Sequence, residues 1–148
     1  MIKFGFATGI FGADPADGLT LSDCRICNAV RCVPPANKPV GAEMNACRPF
    51  LVSEIAAMPR LEAIFALGRI AHDNVLRTMN MPLSRNPFGH AVVHQLSPTT
   101  RLYDSYHCSR YNTNTGRLTE AMFEQVFENI RSDLDKGQGP DVTTCISD

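Results

Sequence analysis

No stretch of this 148-residue chain comes near the ~20 consecutive apolar residues that a membrane-spanning helix needs, so such a helix is excluded. A secretory leader is not expected either. Residues 1–12 are apolar but interrupted by Gly5, Gly9 and Gly12, and Asp14 and Asp17 follow where a small-residue cleavage site would stand. These absences predict a cytoplasmic protein whose six cysteines are reduced thiols or metal ligands rather than disulfides. There is no internal repeat and no low-complexity tract. A composition of 44% hydrophobic and 20% charged residues rules out a disordered tail, a collagen-like repeat or a coiled coil. The length suits a single domain, residues 1–148, able to bury roughly 70% of the surface its unfolded chain exposes.

Excess charge of one sign is missing as well, since the net charge is -1, but the distribution is uneven. Residues 25–48 hold Arg25, Arg31, Lys38 and Arg48 against Glu43, and residues 101–117 hold Arg101, Arg110 and Arg117 against Asp104. Residues 118–148 are acidic and mask both basic segments in the total. Lysine is scarce, with three against eleven arginines. Arginine suits bidentate phosphate contacts, although arginines on a solvated face are the commoner case.

Periodicity orders the elements. Residues 19–32 read as a strand running into a loop at Pro34 and Pro35. Met44, Cys47, Phe50, Leu51, Ile55 and Met58 recur at helical spacing over residues 40–58. Residues 61–67 form a short apolar run closed by Gly68, followed by helical spacing of Ile70, Ala71, Val75 and Met79. Residues 80–89 read as a loop, and residues 90–96 and 102–107 as two strands around a Ser97-Pro98 turn. Leu118, Met122, Phe123, Val126, Phe127, Ile130 and Leu134 make a 3.6-residue stripe with Thr119 as its cap, and residues 137–148 read as a loose tail. The alternation predicts an α/β fold, a three-layer α/β/α sandwich with a mostly parallel central sheet. Ligands of such sheets bind beyond the carboxyl ends of the strands, which here are residues 28–37, 67–68 and 107–112. Three parallel strands are few for a sheet buried on both faces, so a first strand is expected to be missing.

Among the cysteines, Cys24 and Cys27 form a CxxC, and Cys32 and Cys47 stand fifteen positions apart. In a regular strand an offset of three points Cys24 and Cys27 to opposite faces, so they read as small buried hydrophobes. Cys32 and Cys47 flank a loop that can bring two thiolates to one ion. His107 occupies a crevice position, followed by Ser109, Asn112 and Gly116, with Arg110 and Arg117 to meet phosphates. His72, His90 and His94 have no such company and default to surface or core roles. Ser109 lacks the glycine-flanked elbow of a serine nucleophile. Asn28, beside a Pro-Pro loop carrying Lys38, offers the donor and acceptor pair that the edge of a nucleobase requires.

Four segments together carry a resemblance: Asn28-Ala-Val-Arg-Cys-Val-Pro-Pro-Ala-Asn-Lys-Pro39, Cys47-Arg-Pro-Phe-Leu51, Ala66-Leu-Gly68, and His107-x-Ser109-x-x-Asn112-x-x-x-Gly116-x-Leu-Thr119. In order and interval they resemble the iron-sulfur uracil-DNA glycosylases, most closely the type-5 branch. The resemblance implies a base-flipping DNA repair hydrolase that removes uracil, and in that branch other deaminated bases, from DNA as a monomer. By position, Asn28 matches the amide that reads the uracil edge and His107 the residue that stabilises negative charge on the departing base. Gly68, Ser109 and Asn112 fall in the substrate pocket, and Lys38, Arg110, Gly116 and Arg117 on the DNA backbone. Cys32 and Cys47 match the last two ligands of the family's 4Fe-4S cluster.

In that family the first two cluster cysteines, the water-positioning glycine loop and an aromatic that stacks on uracil lie upstream of a start like this one. The resemblance therefore implies an N-terminally truncated member, short of two cluster ligands and of the first strand. Cys108 stands where many relatives carry proline. Two other readings stay open: a nucleic-acid-binding relic without catalysis, and a metal module built on Cys24, Cys27, Cys32 and Cys47.

Overall fold

The computed structural model describes residues 1–31 and 39–137, and among these are five short strands, four α-helices and two single turns of 3-10 helix, Ile2–Phe4 and Leu83–Arg85. In chain order the strands and α-helices are β1 (Ala7–Thr8), β2 (Thr20–Leu21), α1 (Gly41–Ala56), β3 (Ala63–Leu67), α2 (Arg69–Thr78), β4 (Val93–Gln95), β5 (Arg101–Ser105), α3 (Arg110–Asn114) and α4 (Glu120–Gly137). The central sheet has the order β3-β5-β4. β3 pairs parallel with β5 and β4 pairs antiparallel with it, so the sheet is mixed.

Side-chain alternation along β3 and β5 divides the core into two layers. Phe65 and Tyr103 point to one face, where Val126, Phe127 and Ile130 of α4 and Phe6 of the amino-terminal segment meet them. Ile64, Ala66 and Leu102 point to the other, against Leu51 of α1 and Val75 and Leu76 of α2. Helices on both faces of a sheet with parallel pairing give the expected α/β sandwich. The Phe65 and Phe127 rings meet edge-on at 5.1 Å, and Phe123 meets Phe127 in the same way at 5.3 Å. α4 is also tied to β5 by a polar contact: the buried Tyr103 hydroxyl donates to Asp133 Oδ2 at 2.9 Å, and Arg101 pairs with the same carboxylate at 3.3 Å. That hydrogen bond holds the Asp133 carboxyl below its ordinary range.

Local chemistry accounts for the helix ends. Thr119 Oγ1 accepts the Met122 amide at 3.2 Å, the N-cap expected from the sequence. Glu43 reaches back to the Val40 amide at 2.8 Å, half of a capping box, at the start of α1. Phe50, expected on the buried stripe of α1, is exposed, with the Arg31 guanidinium 4.7 Å from its ring centroid.

The strand expected over residues 19–32 is not formed as such. It shrinks to β2, which pairs with β1 in a separate two-stranded antiparallel sheet. Asp23, at φ 47, turns the backbone out of the extended region directly after Ser22, and Arg25, Ile26, Cys27 and Asn28 are all exposed. Without an alternating buried face, this stretch gains nothing from joining a sheet. It instead lies on α1, where Arg25 and Arg31 both pair with Glu54, the latter at 2.7 Å.

Candidate active site

Parallel pairing sets Leu67 opposite Ser105, so β3 and β5 end side by side. One residue further on, the Gly68 amide donates to the Ser105 carbonyl at 2.8 Å. Gly68 has φ 91 and ψ 162, a conformation essentially reserved for glycine. A Cβ built there would stand 3.1 Å from Cβ of His107, tighter than most real contacts. Glycine at this position therefore serves two needs, the backbone angle and the close approach of His107. The exposed His107 is held beside it.

Past His107 the chain makes one short excursion and returns. Ser109, in extended conformation, precedes α3, and its carbonyl accepts the Thr113 amide at 3.1 Å. Asn112 Nδ2 donates to the His107 carbonyl at 2.8 Å, and the Asn112 carbonyl accepts the Leu118 amide at 3.1 Å. Asn112 thus closes the excursion at both ends. Gly116, at φ 69, makes the return turn, and the Arg117 guanidinium lies 4.7 Å from the centroid of the Tyr106 ring. Gly68, His107, Ser109 and Asn112 are thereby gathered in one place, with Arg110, Gly116 and Arg117 on the same excursion. The short helix α3 leaves no signal in the sequence, because its five residues include no apolar period.

Asn28 belongs to a different element. It is exposed on the irregular segment fastened to α1 through Arg25 and Arg31, and not at a strand end as expected. Lys38 and Cys32 lie outside the described residues. Cys47 is buried in α1, and its Sγ accepts the Arg31 amide at 3.4 Å. The Cys24 thiol donates to the Phe6 carbonyl at 3.2 Å. Desolvation pushes both the Cys24 and the Cys27 thiol up, away from the thiolate a metal needs; at Cys24 the positive N-terminus opposes it, and at Cys27 the Glu54 charge adds to it. Among the described residues no three cysteines bring their sulfurs together, so these thiols do not form a four-cysteine cradle.

A second polar cluster joins residues that stand far apart in the sequence. His72 of α2, His94 of β4 and Asp104 of β5 meet beneath the sheet end, all buried. His72 Nδ1 is 2.9 Å from Asp104 Oδ1, His72 Nε2 is 2.9 Å from the Asn86 carbonyl, and His94 Nε2 is 3.3 Å from Asp104 Oδ2. Burial pushes the Asp104 carboxyl up, against the pull of both imidazoles and of the Gly89 amide. His72 and His94 do take core positions, but they have company: one carboxyl joins α2, β4 and β5. A carboxylate within an apolar strand was the available signal, because a buried acid requires partners.

The profile of the Uracil DNA glycosylase superfamily matches residues 2–131 of this chain. The chain is 41% identical over 112 residues to a type-5 uracil-DNA glycosylase of Thermus thermophilus, covering 76% of this chain and 51% of that protein. It is 42% identical over 120 residues to a type-5 uracil-DNA glycosylase of Mycobacterium leprae, covering 80% and 52%. A type-4 uracil-DNA glycosylase of Saccharolobus solfataricus is more distant, 28% identical over 129 residues, covering 78% and 56%. The chain spans about half the length of the curated relatives it matches.

Proposed function

The chain belongs to the uracil-DNA glycosylase superfamily, and from that premise we propose that it excises uracil from DNA, using His107 at the end of β5 to receive the charge of the departing base. The observation that carries this reading is the apposition of His107 and Gly68 where the parallel strands end, with Asn112 bound to the His107 carbonyl.

Hydrolysis of the glycosidic bond separates the base N1 from the sugar C1′. The bonding electron pair leaves with the base, so the sugar becomes oxocarbenium-like while negative charge spreads over N1 and O2 of uracil. Water adds its oxygen to C1′ and gives up a proton, leaving an abasic site and, once that anion is protonated, free uracil. A donor aimed at O2 is worth more in the transition state than in the ground state, because the charge exists only there. An imidazole N–H at His107 supplies that donor. The exposed ring projects from a backbone fixed on one side by Gly68 and on the other by Asn112, so little reorganisation accompanies charge development.

The base must leave the stack to reach this point. The basic excursion Arg110 to Arg117 suits the phosphates flanking an extruded nucleotide, with Gly116 allowing close backbone approach, and Lys38, outside the described residues, is assigned to the DNA backbone by kinship alone. Ser109 and Asn112, beside His107 on the same excursion, are assigned to the substrate by kinship, and so is the Asn28 amide, whose donor and acceptor suit the edge of uracil. No helix among the described residues is long and apolar enough to cross a membrane, and the substrate we assign is uracil-containing DNA.

The iron-sulfur cluster implied by kinship would take thiolates from Cys32 and Cys47 in this chain. The described thiols do not by themselves fit a four-ligand cluster, and the charge stabilisation assigned to His107 does not require one.

Incubating the chain with single- and double-stranded oligonucleotides carrying one uracil, followed by alkaline cleavage at abasic sites, tests the proposal. Strand scission is expected, with a loss of about a hundredfold in His107→Ala. Salt-sensitive binding without scission would instead favour the non-catalytic reading.

A further inference from the structure

This inference rests on the reading of His107 just given and concerns what holds that residue in place. β5 ends at Ser105, so the Tyr106 amide is the first backbone donor beyond the strand and directly precedes His107. Its partner is a side chain. His90 Nδ1 lies 3.3 Å from the Tyr106 nitrogen and 3.4 Å from Ser105 Oγ. A backbone amide can only donate, so Nδ1 must carry the lone pair and the ring proton must sit on Nε2.

The same imidazole stacks on the Tyr106 ring, with centroids 5.0 Å apart and planes 23° from parallel. Phe88 stands 6.3 Å from that ring, and the Arg117 guanidinium also lies over it. The Ser105 hydroxyl donates to the Tyr106 carbonyl at 3.0 Å, so the peptide that carries the His107 nitrogen is restrained as well. Both peptide groups flanking Tyr106 are therefore fixed by side chains from outside the excursion's own backbone.

We propose that His90 is the positioning residue of this site: its Nδ1, by accepting the Tyr106 amide, sets the direction in which His107 leaves the sheet. A displacement of about 1 Å at a reacting group can cost roughly a hundredfold in rate. Loss of this acceptor therefore falls on the chemical step rather than on DNA binding.

Two variants separate the acceptor from the stacked ring. His90→Phe keeps an aromatic ring on Tyr106 but accepts nothing, whereas His90→Asn keeps an acceptor at the reach of Nδ1 and gives up the ring. In the full chain, His90→Phe is expected to lower kcat about 10- to 100-fold with KM within about twofold, and His90→Asn to return kcat to within about threefold of the parent. Exchange of the Tyr106 amide, followed by NMR, is expected to quicken in His90→Phe and stay slow in His90→Asn. An unchanged kcat in His90→Phe, a loss confined to KM, or a His90→Asn as slow as His90→Phe overturns the proposal. Should the parent release no uracil, the excision reading fails on its own account, and amide exchange still decides the clamp. Protection lost in His90→Phe and kept in His90→Asn supports it, and equal protection in all three overturns it.

Discussion

Counting protons in the buried cluster leads to an unusual expectation for Asp104. The Asn86 carbonyl is an acceptor only, so His72 Nε2 must carry a hydrogen. The 2.9 Å line from His72 Nδ1 to Asp104 Oδ1 and the 3.3 Å line from His94 Nε2 to Oδ2 then each need a proton of their own. Two neutral imidazoles and a carboxylate supply one too few, and the cluster must retain an extra proton. Asp104→Asn removes that requirement: the amide NH₂ donates to His72 Nδ1 while the amide oxygen accepts from His94 Nε2–H, and every group remains paired without charge. Asp104→Leu strands both nitrogens in a fully buried site. Breaking a buried polar pair from one side costs about 3–5 kcal/mol, and at this chain length about 4 kcal/mol corresponds to roughly 12 °C in Tm. Asp104→Asn should stay within about 1 kcal/mol, or roughly 3 °C, of the parent.

The pH dependence carries the same logic. The folded Asp104 carboxyl titrates above its ordinary value of 3.8 because burial disfavours the anion. Between those two values the folded state holds a proton that the unfolded chain has lost, so stability falls as pH rises through the window. Asp104→Asn has no such slope at this site. Thermal unfolding of the parent and both variants across pH 3.5 to 8 measures each quantity, the range being set by about the ordinary carboxyl and imidazole values. Equal losses in the Asn and Leu variants, or a parent-minus-Asn difference that grows with pH in favour of the parent, would refute the proton count.

Other outcomes follow from the same structure. Gly68→Ala places a side chain at φ 91 and presses on His107, so a loss of about 2 kcal/mol, roughly 6 °C in Tm, is expected together with at least about a tenfold drop in uracil release. A variant with parental Tm and turnover in those assays would remove the close-approach argument. Tyr103→Phe deletes the hydrogen bond to Asp133 and should cost about 1 kcal/mol by denaturant titration at neutral pH. Because that bond depresses the Asp133 carboxyl, its contribution is present above the ordinary value of 3.8 and lost as pH falls through the folded value. The gap between parent and Tyr103→Phe should therefore close in acid. Thr119→Ala removes the N-cap of α4 and should lower stability by about 1 kcal/mol in the same titration.

Periodicity and end signals in the chain itself determined α1, α2, α4, β3 and β5. Burial of one face repeats at 3.6 or 2 residues whatever the partner is, and a cap such as Thr119 acts within a single turn. The grouping of His107, Ser109, Asn112 and Gly116 was equally legible, because all four lie on one short excursion and need no distant contact to be assembled. Only tertiary structure decided the rest. Residues 19–32 have the composition of a strand, but pairing also requires an edge to join and an alternating face to bury, and the chain instead lies on α1 through Glu54. His72, His94 and Asp104 come from three elements, and His90 and Tyr106 are sixteen positions apart. A pattern along one element reports which side is buried but not which atoms wait there, so these hydrogen bonds exist only once β4, β5 and α2 have docked.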